Sequence, residues 1–134
     1  MSIKDIMSTS IVTVRLGDSV AVVKEIFDNS PFHHLLVVDS GELFGIISDR
    51  DLFKILSPTI GTVSETTRDL AILNKKAHQI LTRKPITLSE KSGLSDVIKV
   101  FKKHNISCIP VVNDENEPVG IVSWRDLLKI FDDK

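Results

Sequence analysis

Residues 45–56 read Gly-Ile-Ile-Ser-Asp-Arg-Asp-Leu-Phe-Lys-Ile-Leu, and residues 120–131 read Gly-Ile-Val-Ser-Trp-Arg-Asp-Leu-Leu-Lys-Ile-Phe. The two stretches are identical at eight of twelve positions. In each copy a short apolar run, typical of a strand, meets a helical pattern at a serine, and an aspartate follows three residues later. The sequence therefore predicts a fold in which one strand-to-helix unit occurs twice.

The repeat extends upstream of this stretch. With a shift of 74 positions, residues 6–14 align with 80–88, and residues 33–38 align with 107–112. The shift becomes 75 because the connection 39–44 is one residue shorter than the connection 113–119, a difference that a surface turn tolerates. Each copy is predicted to contain a strand, a helix, two strands joined by a tight turn and a second helix.

The local patterns assign these elements to residue ranges. The first strands are predicted at 11–14 and 86–88, and the hairpins pair 35–38 with 43–47 and 108–112 with 119–122. Asp18 or Ser19, and Ser92, are the predicted N-caps of the helices that follow the first strands. Residues 57–67 have the composition of a loop, and residues 68–81 the spacing of a helix.

Composition excludes several classes of protein. The net charge is −1, so no general electrostatic attraction to nucleic acid or an anionic membrane is expected. No apolar run approaches the roughly 18 residues that span a bilayer, and residues 1–6 lack the apolar core of a secretion signal. The single cysteine, Cys108, fits a reducing compartment. We therefore expect a cytoplasmic protein.

The repeated Ser-x-x-Asp allows two interpretations. The first turn of a helix favours an anion, so Ser48 or Ser123 could face a phosphate. One turn on, the carboxylate of Asp51 or Asp126 could accept both hydroxyl groups of a ribose. The alternative is a capping box, in which the serine caps the helix and the aspartate accepts a hydrogen bond from the serine's own backbone N–H. Capping explains a single copy better, whereas two equivalent copies bring the alternatives closer together.

Catalysis is not predicted. No nucleophile with a base, no phosphate-binding glycine loop, no paired acids and no set of metal ligands can be assembled with sensible spacing. The basic pairs at 75–76, 83–84 and 102–103 are interspersed with acids, as on solvated helix faces. We expect neither an enzyme, a metal site nor a nucleic-acid partner.

The order of elements, the two Gly-Ile-(Ile/Val)-Ser-x-Arg-Asp segments and the strand Ile109-Pro110-Val111-Val112 together resemble a tandem pair of CBS domains, also called a Bateman module. The resemblance covers the chain from Ile3 to Phe131. It implies a stand-alone α/β (α+β) protein with a first CBS unit at 1–57, a linker and helix at 58–77 and a second unit at 78–134. The two β-α-β-β-α units would be related by a pseudo-twofold axis and packed through their sheets.

The resemblance also implies function. CBS pairs commonly bind AMP, ADP, ATP or S-adenosylmethionine in two clefts, with the ribose on an aspartate and the base on backbone groups of the neighbouring unit. The ligand-binding residues implied for the first cleft are Asp51, Ser48, Arg50, Ile46, His33, His34, Ile86, Ile106 and Ser107. Those implied for the second are Asp126, Ser123, Arg125, Ile121, Val12 and Phe32, with His33 again.

Two features make the copies unequal. His33 and His34 stand where Ser107 and Cys108 stand in the second copy, which favours the Asp51 cleft for a nucleotide, although an exposed histidine pair without a ligand is an equal alternative. Trp124 stands inside the second Ser-x-x-Asp. It could stack on a base or block the cleft, and a contact in a dimer is the preferred interpretation.

The predicted function is therefore a non-catalytic regulatory module. An adenosyl ligand would shift the arrangement of a homodimer and so signal to a separate protein partner. The alternative is a constitutive dimerisation scaffold whose clefts are empty or degenerate.

Overall fold

The elements of the computed structural model, which describes residues 1–132, follow the predicted order. The last two residues of the predicted second unit, 133 and 134, lie outside the described residues. The first repeat contains β1 (Thr13–Arg15), α1 (Val20–Asp28), β2 (His34–Asp39), β3 (Glu42–Ser48) and α2 (Asp49–Ile55). After α3 (Thr67–Leu73) and β4 (Thr82–Arg83), the second repeat contains β5 (Leu88–Ser89), α4 (Leu94–Lys103), β6 (Cys108–Val112), β7 (Pro118–Ser123) and α5 (Trp124–Asp132). Short 3-10 turns lie at Ile3–Asp5 and Ala77–Gln79.

The strands form two sheets, which confirms the predicted mixed α/β class. One sheet has the order β1-β2-β3-β4, and the other has the order β5-β6-β7. In both sheets the first strand of the repeat runs parallel to the second, as a crossover helix requires. The first hairpin turns at Ser40 and Gly41, whose φ values of 51° and 83° match the primed turn that suits twisted strands.

The chain folds into two lobes that do not coincide with the two sequence repeats. The N-lobe contains residues 12–39 and 44–83, and the C-lobe contains residues 1–11, 40–43 and 84–132. In the C-lobe the Ile3 N–H donates to the Ser92 carbonyl at 2.9 Å. In the N-lobe, 74 residues later, the Ala77 N–H donates to the Asp18 carbonyl at 2.7 Å. Each lobe therefore includes the short segment that precedes the other repeat.

The repeated glycine of the motif permits these segments to approach. A Cβ atom on Gly45 would lie 2.7 Å from the Thr82 carbonyl oxygen. A Cβ atom on Gly120 would lie 2.6 Å from Met7 Sδ and 2.9 Å from the Ser8 carbonyl oxygen. All three distances are shorter than a side-chain Cβ tolerates, so the glycines are explained by packing within each lobe.

Each lobe has its own hydrophobic core, formed where helices cover one face of a sheet. The buried residues of the N-lobe core are Val14, Val20, Val23, Leu35, Val37, Ile47, Leu52 and Ala77. Those of the C-lobe core are Ile3, Ile6, Val97, Phe101, Ile109, Val111, Val122 and Leu127. The matching positions confirm that the repeat defines equivalent packing. No helix within residues 1–132 has the length and apolar character needed to cross a membrane.

The helix predicted over 68–81 is shorter than expected. Helix α3 ends at Leu73, and Asn74 lies at its C-cap. The Ala77 N–H is hydrogen-bonded to Asp18 and not to its own helix, so the chain turns there and continues to β4. The apolar spacing that looked like one helix therefore covers two elements, α3 and the 3-10 turn at Ala77–Gln79.

One of the predicted caps is wrong. Ser19 caps α1, because its hydroxyl accepts from the Val22 N–H at 3.2 Å. Helix α4 begins one residue later than expected, with Gly93 and not Ser92 at the N-cap. There the Asp96 carboxylate accepts from the Gly93 N–H at 2.9 Å, which is the acid's half of a capping box, while glycine has no side chain to supply the other half.

Candidate ligand-binding junctions

The N-lobe junction is the point where β3 passes directly into α2. Ser48 has an extended backbone and caps the helix, and its hydroxyl accepts from the Asp51 N–H at 3.0 Å. In return, Asp51 Oδ2 accepts from the Ser48 N–H at 3.0 Å. These two bonds form a capping box, so both side chains have a structural role at the start of the helix.

The C-lobe junction repeats this geometry with one addition. Asp126 Oδ2 accepts from the Ser123 N–H at 2.8 Å, and the Asp126 N–H donates to Ser123 Oγ at 3.3 Å. The Ser123 hydroxyl also donates to Asp126 Oδ2 at 3.1 Å, a bond without a counterpart between Ser48 and Asp51. The C-lobe carboxylate is therefore more fully used within its own turn.

Capping leaves part of each carboxylate free. In both junctions the capping bonds go to Oδ2, and within the described chain no hydrogen bond reaches Oδ1 of Asp51 or Asp126. An ionised carboxylate has about four acceptor positions. Both aspartates are half-buried. The two interpretations of Ser-x-x-Asp are thus compatible, because a capping aspartate still has an oxygen with which to accept from a ribose.

The start of β2 lies against the start of α2. The Asp49 N–H donates to the His33 carbonyl at 2.9 Å, and His33 Nδ1 lies 2.8 Å from Asp49 Oδ2. In the C-lobe the Trp124 N–H donates to the Ser107 carbonyl at 3.3 Å. The structure therefore brings the predicted residues before the second strand next to the helix start in each lobe. Asp49 was not among the predicted site residues, because its partner His33 lies sixteen residues earlier in the chain.

The two histidines differ in environment. His33 is exposed, whereas His34 is half-buried. Burial lowers the pKa of His34 below its usual 6.5, because a charged imidazolium is poorly solvated there. The carboxylates of Asp49 and Asp51 oppose this shift, while His33 and Arg50 add to it. The neutral form of His34 is therefore favoured at pH 7.

Trp124 occupies the C-lobe position that corresponds to Asp49. Its ring centroid lies 4.7 Å from that of Phe101, and its Nε1–H donates to the Ile106 carbonyl at 3.3 Å. The residue is 46% exposed, so the indole is held along one edge and on one face while the rest contacts solvent. The backbone carbonyl of Ile106, one of the predicted site residues, is thus already hydrogen-bonded inside the lobe.

The fifteen predicted site residues divide between the lobes. The N-lobe contains Val12, Phe32, His33, His34, Ile46, Ser48, Arg50 and Asp51, and the C-lobe contains Ile86, Ile106, Ser107, Ile121, Ser123, Arg125 and Asp126. Ile46 and Ile121 are half-buried strand residues. Arg50 and Arg125 are exposed, and neither forms a salt bridge with another of residues 1–132. Their guanidinium groups therefore have no fixed acidic partner there.

Other reactive groups in the described residues have structural explanations. Burial raises the pKa of Cys108 to about 12, so the sulfur is a neutral thiol at physiological pH. Within residues 1–132 no three histidine, cysteine or acidic side chains converge as metal ligands would. The junctions remain the positions at which the two repeats present matching polar groups.

The sequence matches the CBS domain family over residues 3–58 and 77–133, and the chain belongs to that family. It is 32% identical to L-aspartate semialdehyde sulfurtransferase of Methanocaldococcus jannaschii over 98% of its length, but it spans only 23% of that relative. A CBS domain-containing protein of Dictyostelium discoideum is 30% identical over 96% of this chain and 90% of its own.

A solved structure shows what one similar domain pair binds. The CBS domain pair of protein MJ0100 was solved in complex with 5′-methylthioadenosine and S-adenosyl-L-methionine. Its sequence is 32% identical to this one, its TM-score is 0.77, and the match covers 98% of this chain and 99% of that one. The likeness therefore extends over both repeats and both junctions.

Proposed function

We propose that this protein is a non-catalytic regulatory module of the cytoplasm that binds an adenosyl ligand at its Ser-x-x-Asp junctions. The ligand class comprises AMP, ADP, ATP and S-adenosylmethionine, and the ligand acts as a signal and not as a catalytic cofactor. The observation that carries the proposal is the pair of aspartates, Asp51 and Asp126, each with one carboxylate oxygen in a cap and one oxygen without a partner in residues 1–132. The similar MJ0100 domain pair, which binds two adenosyl compounds, supports the ligand class.

The N-lobe junction is the proposed principal site. Asp51 Oδ2 accepts one capping bond, whereas Asp126 Oδ2 accepts two, so Asp51 retains more acceptor capacity for a ribose. Arg50 is exposed without an acidic partner in the described chain, and His33 and His34 add two imidazoles nearby. The other residues proposed to contact the ligand are Val12, Phe32, Ile46, Ser48, Ile86, Ile106, Ser107, Ile121, Ser123 and Arg125.

Asp51→Asn tests the ribose assignment with little change to the fold. The asparagine amide oxygen can still accept from the Ser48 N–H, but the second oxygen becomes an NH2 group that cannot accept from a ribose hydroxyl. Hydrogen bonds to a charged group contribute about 1.5–3 kcal/mol, so we expect roughly ten- to hundredfold weaker binding in calorimetric titrations.

Asp96→Asn is the matched control. Asp96 caps α4 through the Gly93 N–H in the same way as Asp51 caps α2, but it lies outside the proposed site. Its replacement should leave affinity within about twofold of wild type. Equal affinity for AMP, ATP and S-adenosylmethionine in wild type, Asp51→Asn and Asp126→Asn would reject both ribose assignments.

We further propose a homodimer that presents its signal to a separate protein partner. Trp124, Leu128 and Phe131 of α5 follow the spacing of one helix face and are 46%, 61% and 58% exposed. Phe53, which corresponds to Leu128 in the repeat, is 64% exposed on α2. Several large apolar side chains exposed on one helix face, as on α5, are typical of interaction surfaces.

Equilibrium sedimentation tests the dimer. Wild type should sediment as a dimer at micromolar concentration, and Leu128→Glu should shift it towards monomer. Val63→Glu is the control, since Val63 is fully exposed on the loop before α3 and outside the α5 face. A monomeric wild type would contradict this part of the proposal.

The second candidate function is a constitutive dimerisation scaffold with empty junctions. The capping boxes favour it, because Ser48–Asp51 and Ser123–Asp126 are already satisfied as structural motifs. Mass spectrometry of small molecules that copurify with the protein separates the two functions. An adenosyl compound at a constant ratio to protein supports the regulatory module, whereas a dimer that binds none of the four ligands supports the scaffold.

A further inference from the structure

The exposed face of α5 carries opposite charges at its two ends. Arg125 in the first turn and Asp132 in the last turn are both exposed. Their positions are seven residues apart, which is close to two full turns, so the two side chains lie nearly on one line along the helix. Together with Leu128, Lys129 and Phe131 they line one surface depression. Charged and apolar groups are thus combined on one face of this helix.

The dipole of α5 itself does not explain these two charges. The start of a helix is the positive end of its dipole and favours acids, whereas its end favours bases. Arg125 and Asp132 have the opposite arrangement, and neither forms an ion pair with another of residues 1–132. A second helix lying antiparallel to α5 would correct this, because each charge would then lie near the end of the neighbouring dipole that attracts it.

We propose that a second copy of this chain docks on this face through its own α5, with the two helices antiparallel about a twofold axis beside Leu128. The inference rests on the homodimer of the proposed function and deepens it by naming the surface and the orientation. At 1.5 Å per residue, an axis midway between positions 128 and 129 lies about 5 Å along the helix from both Arg125 and Asp132. The Asp132 of one copy therefore lies level with the Arg125 of the other, and symmetry forms this pair twice.

The apolar side chains of the same face form the centre of this interface. Leu128 is 61% exposed and Phe131 is 58% exposed. With the axis beside Leu128, the two copies of this side chain meet at the centre, and the charge pairs flank them. The exposed Lys129 lies at the edge, where its aliphatic stem covers apolar surface while the ammonium stays in water. An apolar centre with a charged rim is the usual anatomy of a protein interface.

The corresponding helix of the N-lobe lacks this self-complementary pattern. The exposed side chains of α2 are Phe53 and the two basic residues Arg50 and Lys54. Two copies of α2 would bring like charges together, and α2 against α5 would place its cations near Arg125 and Lys129. Since like charges across an interface are unfavourable, charge selects the pairing of α5 with α5.

Charge reversal tests this pairing by equilibrium sedimentation without added ligand. Arg125→Asp or Asp132→Arg alone would place like charges together at both ends of the interface. Each should weaken the dimer about five- to fiftyfold, because a single exposed pair contributes little but two pairs change sign at once. The double variant restores opposite charges and should dimerise within about threefold of wild type. Lys54→Asp on α2 is the control and should change the dimer by less than about twofold.

Cysteine cross-linking tests the position of the axis. Leu128→Cys introduces an exposed thiol, whereas the native Cys108 is buried and does not compete. A disulfide requires Cα atoms within about 7 Å, so oxidation should link two copies of the Leu128→Cys variant. Phe53→Cys, at the equivalent position of α2, is the matched control and should not link to Leu128→Cys in a mixture of the two variants.

The outcomes separate this inference from the proposed homodimer. A wild type that is monomeric at micromolar concentration overturns the homodimer and this inference with it. A wild-type dimer that neither charge reversal weakens, or that the double variant fails to restore, overturns only the antiparallel pairing of α5. Cross-linking that occurs only when Leu128→Cys is mixed with Phe53→Cys also overturns it alone, since α5 would then face α2 of the second copy.

Discussion

The repeated glycines provide the sharpest test of how the lobes are built. Gly45 and Gly120 stand at equivalent positions of the motif, and each lies against the short segment that precedes the other repeat. An alanine Cβ at position 45 would lie 2.7 Å from the Thr82 carbonyl oxygen and 2.9 Å from a Leu81 methyl group. At position 120 it would lie 2.6 Å from Met7 Sδ. Normal contacts of carbon atoms begin near 3.5 Å, so either alanine must displace its neighbours.

The cost follows from what has to move. Overpacking a well-filled interior typically costs about 1–3 kcal/mol. Gly45→Ala is expected at the upper end, because its nearest atom is a backbone oxygen held in the pairing of β3 with β4. Gly120→Ala is expected to cost less, since the nearest atom belongs to a flexible thioether, although the Ser8 carbonyl oxygen at 2.9 Å prevents full relief. For a chain of this size the corresponding loss in Tm is about 3–12 °C.

Urea denaturation followed by circular dichroism measures these losses, with Gly17→Ala as the matched control. A Cβ on Gly17 would meet no atom within 4 Å, and Gly17 does not have a positive φ. Its replacement should therefore leave stability unchanged or raise it by up to about 1 kcal/mol. If Gly45→Ala and Gly120→Ala were both as stable as Gly17→Ala, the exchange of segments between the repeats would be refuted.

Three further predictions concern single side chains. Because burial lowers the pKa of His34, the folded state resists its protonation. Stability should therefore fall as pH decreases from about 6.5 towards the lower folded pKa, and His34→Gln should reduce that loss in thermal melts. The Cys108 thiol, whose pKa is raised to about 12, should react with a thiol reagent at pH 8 only at the rate of unfolding, and rapid labelling of native protein would contradict its burial. Asp69 is buried and accepts hydrogen bonds from the Thr59 hydroxyl and the Thr66 N–H, which lower its pKa. Asp69→Ala should therefore lower Tm and hasten proteolysis within residues 57–66. The control Asp114→Ala, which removes an exposed ion pair, should do neither.

The candidate site was predictable where its residues act close together in sequence. Ser48 and Asp51 are three residues apart, so the strand-to-helix junction and its capping alternative could be read from the motif, and Ser123 and Asp126 repeat it. Asp49 escaped prediction because its role depends on His33, sixteen residues earlier in the chain. The hydrogen bond from Trp124 to Ile106 was hidden for the same reason, since a carbonyl eighteen residues away leaves no mark on the local pattern.

The sequence alone determined the repeat and the order of strands and helices, because these depend on local periodicity and on copies that can be aligned. Tertiary structure decided which copy each short segment joins. The exchange of residues 1–11 and 77–83 between the repeats depends on backbone hydrogen bonds such as Ile3 to Ser92 and Ala77 to Asp18. Backbone groups can form such bonds whatever side chains the residues carry, so the sequence pattern does not reveal them. It also decided that the helix predicted over 68–81 ends at Leu73, since the pairing of Ala77 with a distant carbonyl outweighs the helical propensity of the intervening residues.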